Sequence, residues 1–456
     1  MNSFLKEQKM RIDLPNPKEF SHLIGKLLKI ENNFLIKGIS IDSRNIKKGD
    51  LFVGLKGDKV DGNNYVNQAI SSGCSMLLLS KDNNKNLKIP KIVLKEPKIF
   101  LGQIAKIWRE KFDINVVGIT GSNGKTTTKD LLVNIFSYEQ NVHATLGNYN
   151  TDLSLPLTLL QLDNCHNISF LEMGANKIGD ISYLCSISKP NLGVITNISH
   201  AHLSTFKSID NIRKAKLEFF QSIQDNGIIF LNNDDNHISQ NFNNLKKITY
   251  GFDKKSNFQC EKIINDSGEI ILKINNEIIE TKFKNPTICK NILPAVVISI
   301  TLGVSWENIK KGILSFNPPS GRCVTYIKNG ITIIDDTYNA NLSSTLSAID
   351  YISQLKLKGE KIMVFGDMLE LGSKSNDHHK KVGLKVSNSN INQLITFGEN
   401  SFTTYNNTNL INKNHFTSSE KLLYHLKNYI NEGDAVLFKA SRGMNFDTLI
   451  KKVFKS

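Results

Sequence analysis

The 456-residue sequence has no apolar stretch of the length a membrane helix requires. Runs such as Met76-Leu77-Leu78-Leu79 and Ile228-Ile229-Phe230-Leu231 stop at four residues, against about 20 for a span. Met1 to Pro17 contains no apolar segment of secretory-signal type, so export is not expected and the cytoplasm is the expected compartment. Cysteine is sparse as well. The six (positions 74, 165, 185, 260, 289 and 323) stand without CxxC or histidine-rich spacing, which argues against a zinc centre and a disulfide framework and fits a reducing compartment.

Internal repeats, a low-complexity tail and basic runs interleaved with aromatics are also lacking. The last absence matters because Lys and Arg outnumber Asp and Glu by 57 to 42, a net charge of +15. That balance suits either nucleic acid or small anionic molecules. With the lysines dispersed, small anions are the expected partners and nucleic acid is not. At 40% hydrophobic and 22% charged residues the chain can bury sizeable cores, and its length suggests roughly three domains.

What is present follows a recognisable order. Short apolar stretches at 35–41, 51–55, 76–79 and 92–94 predict strands of a small mixed unit, followed by a helix over 97–111. From residue 115 the pattern changes. Strands over 115–120, 168–171, 193–196 and 227–231 alternate with helices, which predicts a parallel sheet covered on both faces. Between 259 and 284, alternating runs separated by Asp266-Ser267-Gly268 and Asn275-Asn276 predict appended antiparallel strands, closed by a helix over 290–302. Pro318-Pro319-Ser320-Gly321 is the linker candidate. Strands over 331–334, 361–365, 393–397 and 435–438 then predict a second doubly wound unit. The expected class is α/β in three domains: a small mixed α/β domain over 1–112, a P-loop-type parallel-sheet domain with appended antiparallel strands over 113–317, and a Rossmann-like domain over 318–456.

The segment Gly118-Ile119-Thr120-Gly121-Ser122-Asn123-Gly124-Lys125-Thr126-Thr127-Thr128 leaves a strand and opens a helix. Glycines let backbone N–H groups converge on phosphate oxygens, and the helix start adds its positive end. Lys125 is expected to neutralise the terminal phosphates and Thr126 to ligate Mg²⁺. The common GxxxxGK[ST] pattern needs glycine where this chain has Ile119, so the loop is a variant, still read as a nucleoside triphosphate site. Ligands of such sheets lie beyond the C-terminal strand ends. Glu172, Asn197 and Asn232 end three of the strands and are expected to face the phosphates, with Glu172 as a Mg²⁺ ligand. His202, in the following loop, reads either as part of this site or as a surface or capping residue. Lys216 falls inside the apolar stripe of Ile209, Ile212, Ala215, Phe219, Phe220 and Ile223, so it either snorkels to water or has a partner.

Thr120 to Thr128, Glu172 to Asn176 (EMGAN), Ala201-His202-Leu203 and Ala215-Lys216-Leu217-Glu218 together resemble the Mur ligase family of peptidoglycan synthesis, which joins an amino acid or peptide to a UDP-muramoyl acceptor. Asp335 to Asn341 (DDTYNAN), Gly366 to Gly372 (GDMLELG) and Lys439 to Met444 look like the member that adds D-alanyl-D-alanine to UDP-muramoyl-tripeptide. Asp42-Ser43-Arg44, Gly49 to Val53 and Asp61-Gly62 look like the uridine-nucleotide domain. The resemblance implies an ATP- and Mg²⁺-dependent ligation through an acyl phosphate, giving the UDP-pentapeptide, ADP and phosphate.

It also implies site roles. Lys125, Glu172, His202 and a carbamoylated Lys216 would be catalytic, and Thr126, Glu172, His202 and Lys216 would hold metal. Gly121, Ser122, Asn123, Gly124, Lys125, Thr126, Thr127, Asn232, Asn291, Arg322 and Asp336 would meet the nucleotide. Ser43, Arg44, Asp61, Asn148, Tyr338, Asn339 and Asn341 would meet the substrates. A monomer is expected, with no membrane span and with domain closure on binding. The alternatives are the sibling ligase adding the third amino acid, which typically has a DYAHTPD-type segment where this chain has DTYNANL, and a non-catalytic UDP-muramoyl-peptide binder. The second is prompted by departures: Thr287 and Ile288 stand where the family often shows His-Asn, Pro294 is expected to interrupt the helix start, and Ser204 replaces a glutamate.

Overall fold

The computed structural model describes residues 10–30, 34–57, 60–81, 89–238, 242 and 244–455. Three sheets follow one another along the chain, of five, nine and six strands. No helix among the described residues is long and apolar enough to cross a membrane.

The first sheet takes its strands in chain order: Arg11–Asp13, Gly38–Ser40, Asp50–Gly54, Met76–Leu79 and Lys91–Val93. Only the first pair is antiparallel. Asp50 is fully buried and accepts both Nε and Nη2 of Arg11, at 2.7 and 2.9 Å, so the buried carboxylate has a bidentate partner. Strand Arg11–Asp13 and helix Pro17–Leu28 are absent from the sequence expectation, since three residues are too few to show alternation.

Helix Pro97–Arg109 starts on a proline, which loses nothing in the first turn. Its stripe of Leu101, Ile104, Ala105 and Trp108 is fully buried. Trp108 packs edge-on to Phe20 of the first unit (centroids 5.9 Å apart) and donates Nε1–H to the Leu162 carbonyl of the second at 3.1 Å. Arg109 Nε–H reaches the Ser188 carbonyl at 2.9 Å. One continuous apolar core therefore runs from the first unit into the second.

The central sheet is ordered Glu277–Glu280, Ile270–Ile274, Phe258–Ile264, Lys246–Gly251, Ile228–Asn232, Leu192–Ile195, Asn115–Thr120, Ile168–Glu172, Val142–Ala144. The last three strands of the domain form the expected antiparallel extension, joined through the two predicted turns. Gly118 and Gly193 are cross-strand neighbours beneath helix Ile209–Gln221. A Cβ on either would stand 2.6 or 2.7 Å from the Phe219 ring. This bare patch lets the helix that carries Lys216 lie close on the sheet.

Helix Cys289–Thr301 corrects one expectation, because Pro294 sits inside it and does not interrupt it. Proline forfeits a single bond, to the Lys290 carbonyl. Ile292, Leu293, Ala295, Val296, Val297 and Ile298 are all fully buried around it, which offsets that loss.

The third sheet is ordered Val324–Lys328, Ile331–Asp336, Ala435–Lys439, Lys361–Gly366, Gln393–Phe397, Lys413–Phe416. Its first strand is an antiparallel edge and the rest are parallel. The chain is thus α/β throughout, with three mixed sheets.

Candidate active site

The loop after Asn115–Thr120 owes its shape to two left-handed glycines, Gly121 (φ 147°) and Gly124 (φ 82°). A Cβ at Gly121 would fall 1.9 Å from Thr196 Oγ1, and one at Gly124 would fall 2.1 Å from Asn291 Oδ1. Asn291 is therefore seated over the loop, with its Oδ1 also 3.5 Å from Thr128 Oγ1. Gly124→Ala adds this collision to about 1–2 kcal/mol for an L-residue held left-handed. A loss of ATP affinity of roughly tenfold or more is expected, read by titration with a fluorescent nucleotide.

Asn197 does not face outward as expected. Its Oδ1 accepts Asn123 N–H at 3.1 Å and its Nδ2 donates to the Asn123 carbonyl at 2.9 Å, so it braces the loop. Ser122 Oγ donates to the Ser199 carbonyl at 2.9 Å. Asn232 is one strand farther out. It donates to the Thr196 carbonyl at 2.9 Å, supporting the neighbouring strand end, and does not touch the loop. Thr127 is buried at the start of helix Lys125–Phe136. Lys125 Nζ donates to the Gly121 carbonyl at 2.9 Å, curled onto its own loop. Burial lowers its pKa, and Glu172 opposes that shift.

Glu172 is the hub. It is 2% exposed, and Oε2 accepts Thr126 Oγ1–H while Oε1 accepts Asn150 Nδ2–H, both at 2.6 Å. Its backbone N–H donates to Thr145 Oγ1 at 2.8 Å. A carboxylate and a hydroxyl in contact offer hard oxygens of the kind Mg²⁺ takes, so Thr126 and Glu172 fit that ion. Arg322 Nη2 donates to the same Thr126 Oγ1 at 2.9 Å, and its guanidinium lies 3.8 Å from the centroid of Tyr338.

Lys216 does not snorkel. It is 4% exposed and has no hydrogen-bond or ion-pair partner among the described residues. Burial, and then the charge of Lys125, push its ammonium well below the ordinary lysine range. A buried amine biased toward its neutral form, with nothing to pair, suits a carbamate better than a cation. His202 Nδ1 is 2.6 Å from Glu370 Oε2 of the C-terminal unit. No three His, Cys, Asp or Glu side chains converge as ready metal ligands among the described residues. Thr126 and Glu172 are brought together, then, whereas His202 and Lys216 form no hydrogen bond or ion pair with them among the described residues.

The C-terminal unit docks on the loop. Asn341 caps helix Leu342–Gln354, and its Nδ2 donates to Asn123 Oδ1 at 2.7 Å. Asp336 is turned to Lys439, Oδ2 to Nζ 2.6 Å, and is not turned to the loop. Burial raises its carboxyl pKa against the pull of Lys439. The Asn339 carbonyl accepts from the same Lys439 at 2.8 Å. Asn148 lies on the 145–150 segment that holds Glu172, with its carbonyl accepting Asn150 N–H at 2.7 Å.

The three N-terminal candidates stay in their own unit. Ser43 Oγ donates to Gln68 Oε1 at 2.8 Å, the exposed Arg44 pairs with Asp42 at 2.6 Å, and Asp61 Oδ1 accepts Asn63 N–H at 3.0 Å. None contacts the phosphate loop among the described residues.

Sequence reasoning missed Asn150, Glu370 and Lys129. Lys129 is buried, and its Nζ donates to the Thr145 carbonyl at 2.6 Å, tying down the segment that carries Asn150. Its signal was available. It sits one turn after Lys125 and directly precedes Asp130, with which it pairs at 2.7 Å.

Residues 119–299 match the Mur ligase middle domain, residues 321–442 match the domain described as Mur ligase, glutamate ligase domain, and residues 35–109 match the Mur ligase family, catalytic domain. A relative from Buchnera aphidicola subsp. Baizongia pistaciae named UDP-N-acetylmuramoyl-tripeptide–D-alanyl-D-alanine ligase is 35% identical, over 92% of this chain and 93% of that one. A Bacillus subtilis relative of the same name is 32% identical, over 92% and 94%. Among solved structures, MurF from Acinetobacter baumannii superposes with a TM-score of 0.88 at 27% identity, covering 98% of this chain and 100% of that one. The MurF ligase from Thermotoga maritima in complex with ADP gives 0.83 at 26%, covering 91% and 96%. With a relative of that identity spanning nearly its whole length, the chain belongs to the Mur ligase family.

Proposed function

We propose that the protein is the ADP-forming ligase that adds D-alanyl-D-alanine to UDP-N-acetylmuramoyl-tripeptide, working in the cytoplasm as a monomer to complete a peptidoglycan precursor. The observation that carries this reading is the seam between two units. The DTYNANL segment lies against the phosphate loop through Asn341 and Asn123, while Arg322 lies over the Tyr338 ring and bonds Thr126. The relatives of this name match over 92% of the chain, in agreement with it.

The chemistry follows from a poor electrophile. A carboxylate does not condense with an amine at neutral pH, so the γ-phosphoryl group of ATP is first transferred to the terminal carboxylate of the tripeptide. The free amine of the dipeptide then attacks the acyl phosphate, and phosphate leaves. Positioning and charge stabilisation dominate such transfers. The loop from Gly121 to Gly124 cradles the phosphates. Lys125 leaves the Gly121 carbonyl to reach the terminal phosphate, and Arg322 adds a second fixed positive charge from the far side of the seam.

Thr126 and Glu172 would hold one Mg²⁺, and His202 with carbamoylated Lys216 a second. When bound, the ions neutralise charge on the transferring group. Asn291 would meet the nucleotide over the loop, and Asp336 would do so only on leaving Lys439, with Asn232 behind the strand end. Ser43, Arg44, Asp61 and Asn148 would meet the UDP-linked acceptor, and Tyr338, Asn339 and Asn341 the dipeptide.

The test is phosphate release from purified protein with ATP, Mg²⁺, UDP-muramoyl-tripeptide and D-Ala-D-Ala, omitting each in turn. Release that requires all four, with a product heavier by one dipeptide, is expected. ATP binding without release under any combination would overturn the reading.

A further inference from the structure

We infer that Glu370 is a positioning residue for the reaction, orienting His202 from across the seam between the central and C-terminal units. Three features of one contact point to it. His202 Nδ1 and Glu370 Oε2 are 2.6 Å apart, although each side chain is between a third and a half exposed, so burial does not force them together. The backbones are joined as well, Ser204 N–H donating to the Glu370 carbonyl at 2.9 Å. Both partners are left-handed without being glycine, His202 at φ 53° and Glu370 at φ 63°. Backbone strain at both partners is held where the surrounding structure over-determines it, and here the side-chain and backbone contacts coincide. Gly or Asn is the low-cost choice at such a position, yet the chain places a carboxylate there.

In a neutral imidazole, a carboxylate facing Nδ1 fixes the hydrogen on that nitrogen and leaves Nε2 as the acceptor or ligand atom. Glu370 belongs to the connection after strand Lys361–Gly366 of the C-terminal sheet, whereas His202 follows strand Leu192–Ile195 of the central one. The imidazole is therefore held in one orientation only while the C-terminal unit is docked. Completion of the site is coupled to docking by a side chain that acts through His202.

This inference rests on the ligase reading, and its test separates the two. The full chain is compared with Glu370→Gly, Glu370→Gln, His202→Ala and the double variant Glu370→Gly/His202→Ala. Glu370→Gly removes the carboxylate and relieves the left-handed backbone, so Tm is expected to rise while kcat falls about 10- to 100-fold, the usual cost of losing a partner of this kind. KM for ATP is expected to stay within about twofold. Glu370→Gln keeps an acceptor oxygen and is expected to recover most of kcat. The double variant is expected to be no slower than His202→Ala alone, the signature of two residues acting through one contact.

A Tm that falls together with kcat would overturn the inference in favour of a structural contact. Unchanged kcat in Glu370→Gly, or additive losses in the double variant, would overturn it equally. Absence of pentapeptide with the unmodified chain would overturn the ligase reading itself, before any variant is compared.

Discussion

Lys216→Arg is expected to leave nucleotide binding intact and to reduce ligation by about 100- to 1,000-fold, the range for removing one preorganised electrostatic group from a reaction centre. The substitution keeps length and positive charge, which makes it a sharp test. If Lys216 acted as a buried cation, arginine would serve at least as well, since its charge is harder to lose. The observed lysine is poorly suited to that role. It is 4% exposed, has no partner among the described residues, and is pushed well toward its neutral form by burial and by Lys125.

A neutral amine adds CO2 through its nitrogen lone pair and, giving up one N–H proton, becomes an anionic carbamate, whereas a guanidinium does not. Enzyme freed of dissolved CO2 is accordingly expected to lose activity and to regain it with bicarbonate, while Lys216→Arg responds to neither treatment. The measurements are product formation under each condition and ADP titration of both proteins. Retention of even a third of the activity by Lys216→Arg would sink the carbamate.

The second large effect is expected at Arg322. Arg322→Lys is expected to lower kcat/KM for phosphate release by about 10³-fold, the lower end of what a cationic finger contributes to phosphoryl transfer. Charge is conserved in this variant, so the loss would come from geometry. The guanidinium carbon lies over the Tyr338 ring, 3.8 Å from its centroid, while Nη2 reaches Thr126 Oγ1, and an ammonium cannot do both. Tyr338→Phe keeps the ring face and is expected to retain most of the activity. Should Arg322→Lys behave like the unmodified enzyme, the residue would be an ordinary linker cation.

The parts of the fold that could be read from sequence were those with strong local chemistry. Strands Asn115–Thr120, Met76–Leu79 and Gln393–Phe397 coincide with the apolar runs that predict them, because a strand buried on both faces is a continuous run bounded by turns. Strand Lys246–Gly251 is invisible in the same terms, since it opens on two exposed lysines and is recruited by pairing with Ile228–Asn232. Pro294 misled for a related reason. Its cost is local and readable, whereas the buried face that offsets it is tertiary.

In the site, Thr126 and Glu172 follow from the phosphate loop and a strand end, and they touch. The oddity of Lys216 is equally legible from its place in an apolar stripe. What was not legible is who holds whom across the seam. Asn341 with Asn123, Arg322 with Thr126 and Glu370 with His202 are separated by 218, 196 and 168 residues, and no spacing rule reaches that far.

The helix Pro97–Arg109 has a mechanical meaning. Thirteen residues make a rod about 20 Å long, embedded at one side in the N-terminal sheet's core and at the other in the central unit's helices. Trp108 and Arg109 bolt it down through bonds to Leu162 and Ser188. A unit mounted on such a strut cannot swing as a free arm on a tether, and the separation between the N-terminal sheet and the phosphate loop is nearly constant. Under the proposed function the strut acts as a gauge block: the N-terminal and central units would set a fixed span against which the acceptor is measured.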